Sequence, residues 1–129
     1  MIRTAGTPQL LIVDDEPNLL QALSVRLGAA GFVCETATDG VEALTKLQAH
    51  RPDLIIVDLI MPNMDGYELY RRLKEDAATA SIPVLVLTAV PPYALGPRIS
   101  GLGAVRVLHK PFDSVELIAA VRGVLATAV

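Results

Sequence analysis

One cysteine, Cys34, serves the whole 129-residue chain, so no internal disulfide can form. With only His50 and His109 beside it, the chain offers no Cys/His grouping of the kind that holds zinc. Aromatic residues are scarce, at 4% against 52% hydrophobic overall, which demands an aliphatic, alanine-rich core. Set in the stretch FVCET, Cys34 reads as a strand residue of that core and not as a reactive thiol. Excess positive charge is absent as well. A formal net charge of -3 speaks against nucleic acid as a partner, because phosphate backbones need concentrated Lys and Arg. No apolar run approaches the roughly 18–20 residues that span a bilayer, and the opening MIRTAGTPQ lacks the apolar segment of a signal peptide. The expectation is a cytoplasmic protein without membrane association, its residues 1–9 a flexible tail.

What the chain does have is a regular alternation of short aliphatic runs and amphipathic helical stretches over residues 10–129, a length suited to one domain. Leu10 to Val13 reads as a strand, followed by a helix from Pro17 to about Ala30 with Leu20, Leu23 and Leu27 inward and Gly31 as its stop. Phe32 to Thr36 is a second strand, and a second helix runs from Gly40 to Ala49 with Val41, Leu44 and Leu47 on one side. Leu54 to Asp58 is the central strand, buried on both faces, and Gly66 to Asp76 the third helix, with Leu69 and Leu73 inward. Ile82 to Thr88 and Val105 to Leu108 supply strands four and five, and Ser114 to about Ala126 the last helix.

Three helix starts share one signature: Asp39-x-x-Glu42, Asp65-x-x-Glu68 and Asp113-x-x-Glu116, each an Asp form of the capping box. These acids therefore belong to structure, whereas Asp14, Asp15 and Asp58 remain to be explained. Strand–helix alternation implies a parallel sheet with right-handed crossovers, an α/β doubly wound fold. Between strands four and five the pattern breaks at Pro91, Pro92, Gly96 and Pro97, so a fourth helix there is short or irregular.

In such a sheet the strand C-termini converge on one crevice. Strand ends, or their immediate successors, supply Asp14 and Asp15, then Asp58, Thr88 and Lys110. Each alone has an ordinary explanation as a strand end, a helix-dipole partner or a solvated charge. Together they are chemically specific. Three carboxylates repel one another unless a cation joins them, and hard oxygen donors suit Mg²⁺. Asp58 is then a nucleophile for phosphoryl transfer, with Thr88 as hydroxyl donor and Lys110 as counter-charge.

From Leu10 to Leu125 the chain resembles the receiver domain of two-component response regulators, through LLIVDDEP, LIIVDLIMPNMDG, VLVLTA, Gly103-Ala104 and HKPF. The resemblance implies a five-stranded flavodoxin-like sheet of order 2-1-3-4-5, with Asp58 as phosphoacceptor. It also implies Mg²⁺ held by Asp15, Asp58 and the Ile60 carbonyl, with Asp14 acting through water. Thr88 becomes the switch hydroxyl, Lys110 the partner of the acyl phosphate, and Lys110-Pro111 a cis bond. A sensor histidine kinase or histidine phosphotransfer protein is the implied donor, and a downstream protein receives the signal by contact. Such a domain is not a turnover enzyme.

Two features depart from the family. Val107 stands where an aromatic switch residue is usual, so readout on that side must differ. The disrupted fourth helix lies on the same face, which speaks against conventional dimerisation there but not against phosphorylation. The resemblance also places the residues two beyond Asp58 and Thr88 along the path of an attacking water. Here they are Ile60 and Val90, apolar and unable to orient it, which predicts slow self-dephosphorylation. The last helix carries only Glu116 and Arg122 as charges, so a homodimer across it is one alternative to a bland alanine face. Competing readings are a receiver-fold binding module that acts without phosphorylation and a receiver cut from a longer regulator. A haloacid-dehalogenase-type phosphatase is disfavoured, because the first strand ends in Asp14-Asp15-Glu16 and not in D-x-D.

Overall fold

Period-two alternation in the strands decides how the layers form. In the computed structural model, which describes residues 6–59, 61, 65–90 and 106–127, five strands pair in parallel. They are β1 (Gln9–Val13), β2 (Val33–Ala37), β3 (Leu54–Asp58), β4 (Val84–Thr88) and β5 (Arg106–His109), in the order β2-β1-β3-β4-β5. Four helices accompany them among the described residues: α1 (Pro17–Ala29), α2 (Gly40–Ala49), α3 (Gly66–Glu75) and α4 (Ser114–Thr127). The sheet order is the doubly wound one expected from the sequence. None of these helices is long and apolar enough to cross a membrane.

Alternate residues along each strand feed two separate cores. Leu11, Val13, Ile55, Val57, Val84 and Val86 pack with Ala43, Leu69, Tyr70 and Leu73 of α2 and α3. Leu10, Ile12, Leu54, Ile56, Leu85 and Leu87 pack with Leu20, Leu23 and Leu27 of α1 and with Leu117, Ala120 and Val121 of α4. β3 and β4 are buried along their whole length, which is why they read as unbroken aliphatic runs. The edge strand β2 buries only Ala37.

Local chemistry sets the helix ends. Asp39, Asp65 and Asp113 each accept the backbone N–H three residues on, at 2.8, 2.9 and 2.8 Å. α1 starts differently, on Pro17 with no side-chain cap. It ends in a complete Schellman arrangement: Gly31 N–H donates to Gly28 O at 3.1 Å, Phe32 N–H donates to Leu27 O at 3.0 Å, and Gly31 takes φ +102°.

Boundaries differ from the sequence expectation by a few residues. β1 begins at Gln9, which exchanges backbone and carboxylate bonds with Asp53 at 2.7 Å. β4 begins at Val84, because Pro83 has no N–H for the ladder. Val41 is a correction. It is 53% exposed, since the helical repeat sets it about 120° around α2 from Leu47, and Ala43 takes the buried position. Val105, Gly103-Ala104 and the proline-rich 91–97 segment lie outside the described residues.

Candidate functional site

The parallel register delivers the polar residues to one edge of the sheet. Val13 pairs with Val57, so Asp14 and Asp58 emerge side by side where β1 and β3 end. Asp58 in turn pairs with Leu87, and Thr88 with His109, which brings the end of β4 and the start of the β5–α4 connection alongside. Asp14, Asp58 and Thr88 are buried, and Asp15 is exposed.

Asp14, Asp15 and Asp58 each offer a carboxylate oxygen, and these oxygens all lie within 4.8 Å of one another. The Lys110 ammonium bridges two of the acids, at 3.3 Å from Asp14 Oδ2 and 3.2 Å from Asp58 Oδ2. The other oxygen of Asp14 accepts Glu16 N–H at 3.0 Å. Three acids against one ammonium leave the site with a net negative formal charge, which a bound cation would offset. An all-carboxylate, oxygen-only set fits a hard divalent ion such as Mg²⁺ and not zinc.

Lys110 is positioned by its backbone. Its N–H donates to Thr88 O at 2.8 Å, and the Lys110-Pro111 peptide is cis. Burial disfavours its charge, but Asp58 and Asp14, through their charges and hydrogen bonds, outweigh that and hold the ammonium above the ordinary lysine range. The side chain therefore stays cationic across the neutral range.

Two contributors escaped the sequence reading. Gly66 opens α3 directly against the end of β3, its N–H donating to Leu59 O at 2.8 Å. A Cβ there would sit 2.4 Å from the Asp58 carbonyl oxygen and 2.7 Å from Leu59 Cα, so only glycine lets α3 approach this closely. The signal available was a poor helix former just after the Asp65 cap. The second is His109, whose Nδ1 lies 3.2 Å from Val90 O. Its only sequence mark was its place immediately before Lys110.

Four of the expected site residues, Asp14, Asp15, Asp58 and Lys110, thus come together, and Thr88 lies at the neighbouring strand end. The Ile60 carbonyl lies outside the described residues. Val107 is half-buried and packs on the core beneath α2 and α3.

Comparison with known proteins is consistent with this geometry. Residues 10–122 match a family described as the response regulator receiver domain. The chain is 40% identical over 120 residues to the DNA-binding dual master transcriptional regulator RpaA of Synechocystis sp., covering 92% of this chain and 49% of that protein. It is 43% identical over 120 residues to the response regulator Rre1 of the same organism, covering 91% and 51%. The chain thus spans about half the length of these curated relatives. Among solved structures, the receiver domain of a Syntrophus aciditrophicus signal transduction histidine kinase superposes with a TM-score of 0.86 at 37% identity, covering 93% of this chain and 91% of that one. The chemotaxis protein CheY4 of Vibrio cholerae also gives 0.86, at 34% identity, covering 92% and 99%.

Proposed function

Because the chain belongs to the response regulator receiver domain family of two-component signalling, we propose that it takes a phosphoryl group onto Asp58 from a phosphohistidine. A carboxylate oxygen of Asp58 attacks phosphorus. The new P–O bond forms as the P–N bond of the donor breaks, and the departing imidazole takes up a proton from solvent. Lys110, already 3.2 Å from Asp58, is the fixed positive charge for the phosphoryl oxygens, and the Thr88 hydroxyl is a further donor. Bound Mg²⁺, held by Asp15, Asp58 and the Ile60 carbonyl and through water by Asp14, would neutralise charge on those oxygens. The observation that carries the reading is the trio of carboxylates within 4.8 Å, spanned by a lysine.

The donor is a sensor histidine kinase or a histidine phosphotransfer protein, and the signal leaves by contact with a downstream protein. Val107 has no ring to rotate, so the output on the β4–β5 side does not use an aromatic switch. Val90 and Ile60 give water no polar guide to the acyl phosphate, and self-dephosphorylation is slow. Nucleic acid is not a partner of this chain in the proposal, consistent with its net charge of -3.

Incubation with acetyl phosphate and Mg²⁺, followed by intact mass, tests the assignment with Asp58→Asn as control. Uptake of one phosphoryl group by the wild type alone is expected. Equal uptake by both would move the site elsewhere, and none by either would favour a binding module that works without phosphorylation.

A further inference from the structure

Val90 follows Thr88 by two residues, and its two backbone groups are held from the end of its own strand β4 and from the neighbouring strand β5. Its N–H donates to Thr88 Oγ1 at 3.0 Å, and its carbonyl faces His109 Nδ1 at 3.2 Å. A carbonyl only accepts, so His109 carries a proton on Nδ1 and is the donor. The reach is set by register: Thr88 pairs with His109, and Lys110 N–H bonds Thr88 O at 2.8 Å, which locks the two strand ends together. Thr88 itself is fully buried, so its hydroxyl orientation depends on its protein partners.

We infer that His109 is a positioning residue for phosphoryl transfer, acting on the Thr88 hydroxyl through the Val90 backbone; this rests on Asp58 being the phosphoacceptor. A hydroxyl has one proton and two acceptor sites. While Val90 N–H fills an acceptor site, the Thr88 proton is directed away from Val90 and is available to a phosphoryl oxygen. His109 keeps Val90 in place from the β5 side. Without that anchor Val90 moves, the hydroxyl loses its fixed orientation, and it bonds neighbouring carbonyls instead.

Four variants and one backbone probe test the relay. Asn places its amide nitrogen as many bonds from Cα as the His Nδ1, so His109→Asn keeps a donor in position, whereas His109→Phe removes it. With acetyl phosphate and Mg²⁺, His109→Phe is expected to phosphorylate roughly fivefold more slowly than wild type, the factor matching the loss of about one hydrogen bond. His109→Asn stays within about twofold. Thr88→Ala is slow on its own, and adding His109→Phe to it costs less than about twofold more, because the group through which His109 acts is gone.

Amide hydrogen exchange at Val90, read without phosphodonor or metal, rises several-fold in His109→Phe and not in His109→Asn. Three results would overturn the relay: a wild-type rate in His109→Phe, the full fivefold loss persisting in the Thr88→Ala background, or Val90 exchange indifferent to His109. If the wild type takes up no phosphate while Val90 exchange still depends on His109, the phosphoacceptor reading fails and the positioning role of His109 in phosphoryl transfer falls with it.

Discussion

Lys110 competes with any cation for the carboxylates it bridges. Replacing it by glutamine removes the charge that Asp14 and Asp58 now share, and two effects of opposite sign follow. Mg²⁺ is expected to bind several-fold more tightly to Lys110→Gln, as titration calorimetry would register. Phosphorylation from acetyl phosphate is expected to slow by about 100-fold, because the phosphoryl oxygens lose their fixed partner. Equal metal affinity in both proteins would mean that the lysine does not screen the site. At this scale the sequence was legible wherever chemistry announced itself by residue type: three acids, a hydroxyl and a lysine, all at strand ends. Gly66 and His109 were not legible. One acts by lacking a side chain next to Asp58, the other by reaching a carbonyl 19 residues away in the chain, and neither property shows without the neighbours in place.

At the scale of elements, two glycines separate backbone strain from steric exclusion. Gly31 has a positive φ of +102° and nothing within 4 Å of an added Cβ. Gly31→Ala should therefore cost only the conformational penalty, about 1–2 kcal/mol in urea unfolding, and leave phosphorylation intact. Gly66→Ala meets Asp58 and Leu59 backbone at 2.4 and 2.7 Å. It should lose about 3 kcal/mol or more, and phosphorylation should fall in the molecules that remain folded. Helix α3 also carries a pH signature. Hydrogen bonds from Arg71 and Arg72, at 2.5 and 2.8 Å, pull the Glu68 carboxyl down to about 2 from 4.5. Its folded value lies below its unfolded one, so its contribution is present above about pH 4.5 and is lost as pH falls toward 2. A carboxyl titration by NMR should find that low midpoint, rising with salt because the pairs face solvent. Capping boxes and leucine spacing foretold these helices well. Val41 misled because an apolar residue near a stripe counts as part of it until the helical phase is known.

For the molecule as a whole, metal and stability are linked. A cation that binds only the folded state raises the unfolding midpoint by an amount that grows with the logarithm of one plus its concentration over its dissociation constant. Thermal unfolding of the wild type should shift upward with millimolar Mg²⁺, and Asp15→Asn should abolish the shift. Because Asp15 is exposed and adds to a charge cluster, the variant should be no less stable than wild type in EDTA. A normal Mg²⁺ response in Asp15→Asn would remove it from the ligand set. The parallel sheet, legible from strand–helix alternation, also separates its two ends. Cys34 on the edge strand pairs with Leu10, which pairs with Leu54, four residues before Asp58. Strand rise and spacing put the thiol about 16 Å from Asp58. It is the only thiol in the chain, half-buried, with burial holding it above the ordinary cysteine range. A dye or surface tether coupled there at mildly alkaline pH would therefore give every molecule one attachment point and one orientation, with the carboxylate-bearing edge facing away from the support.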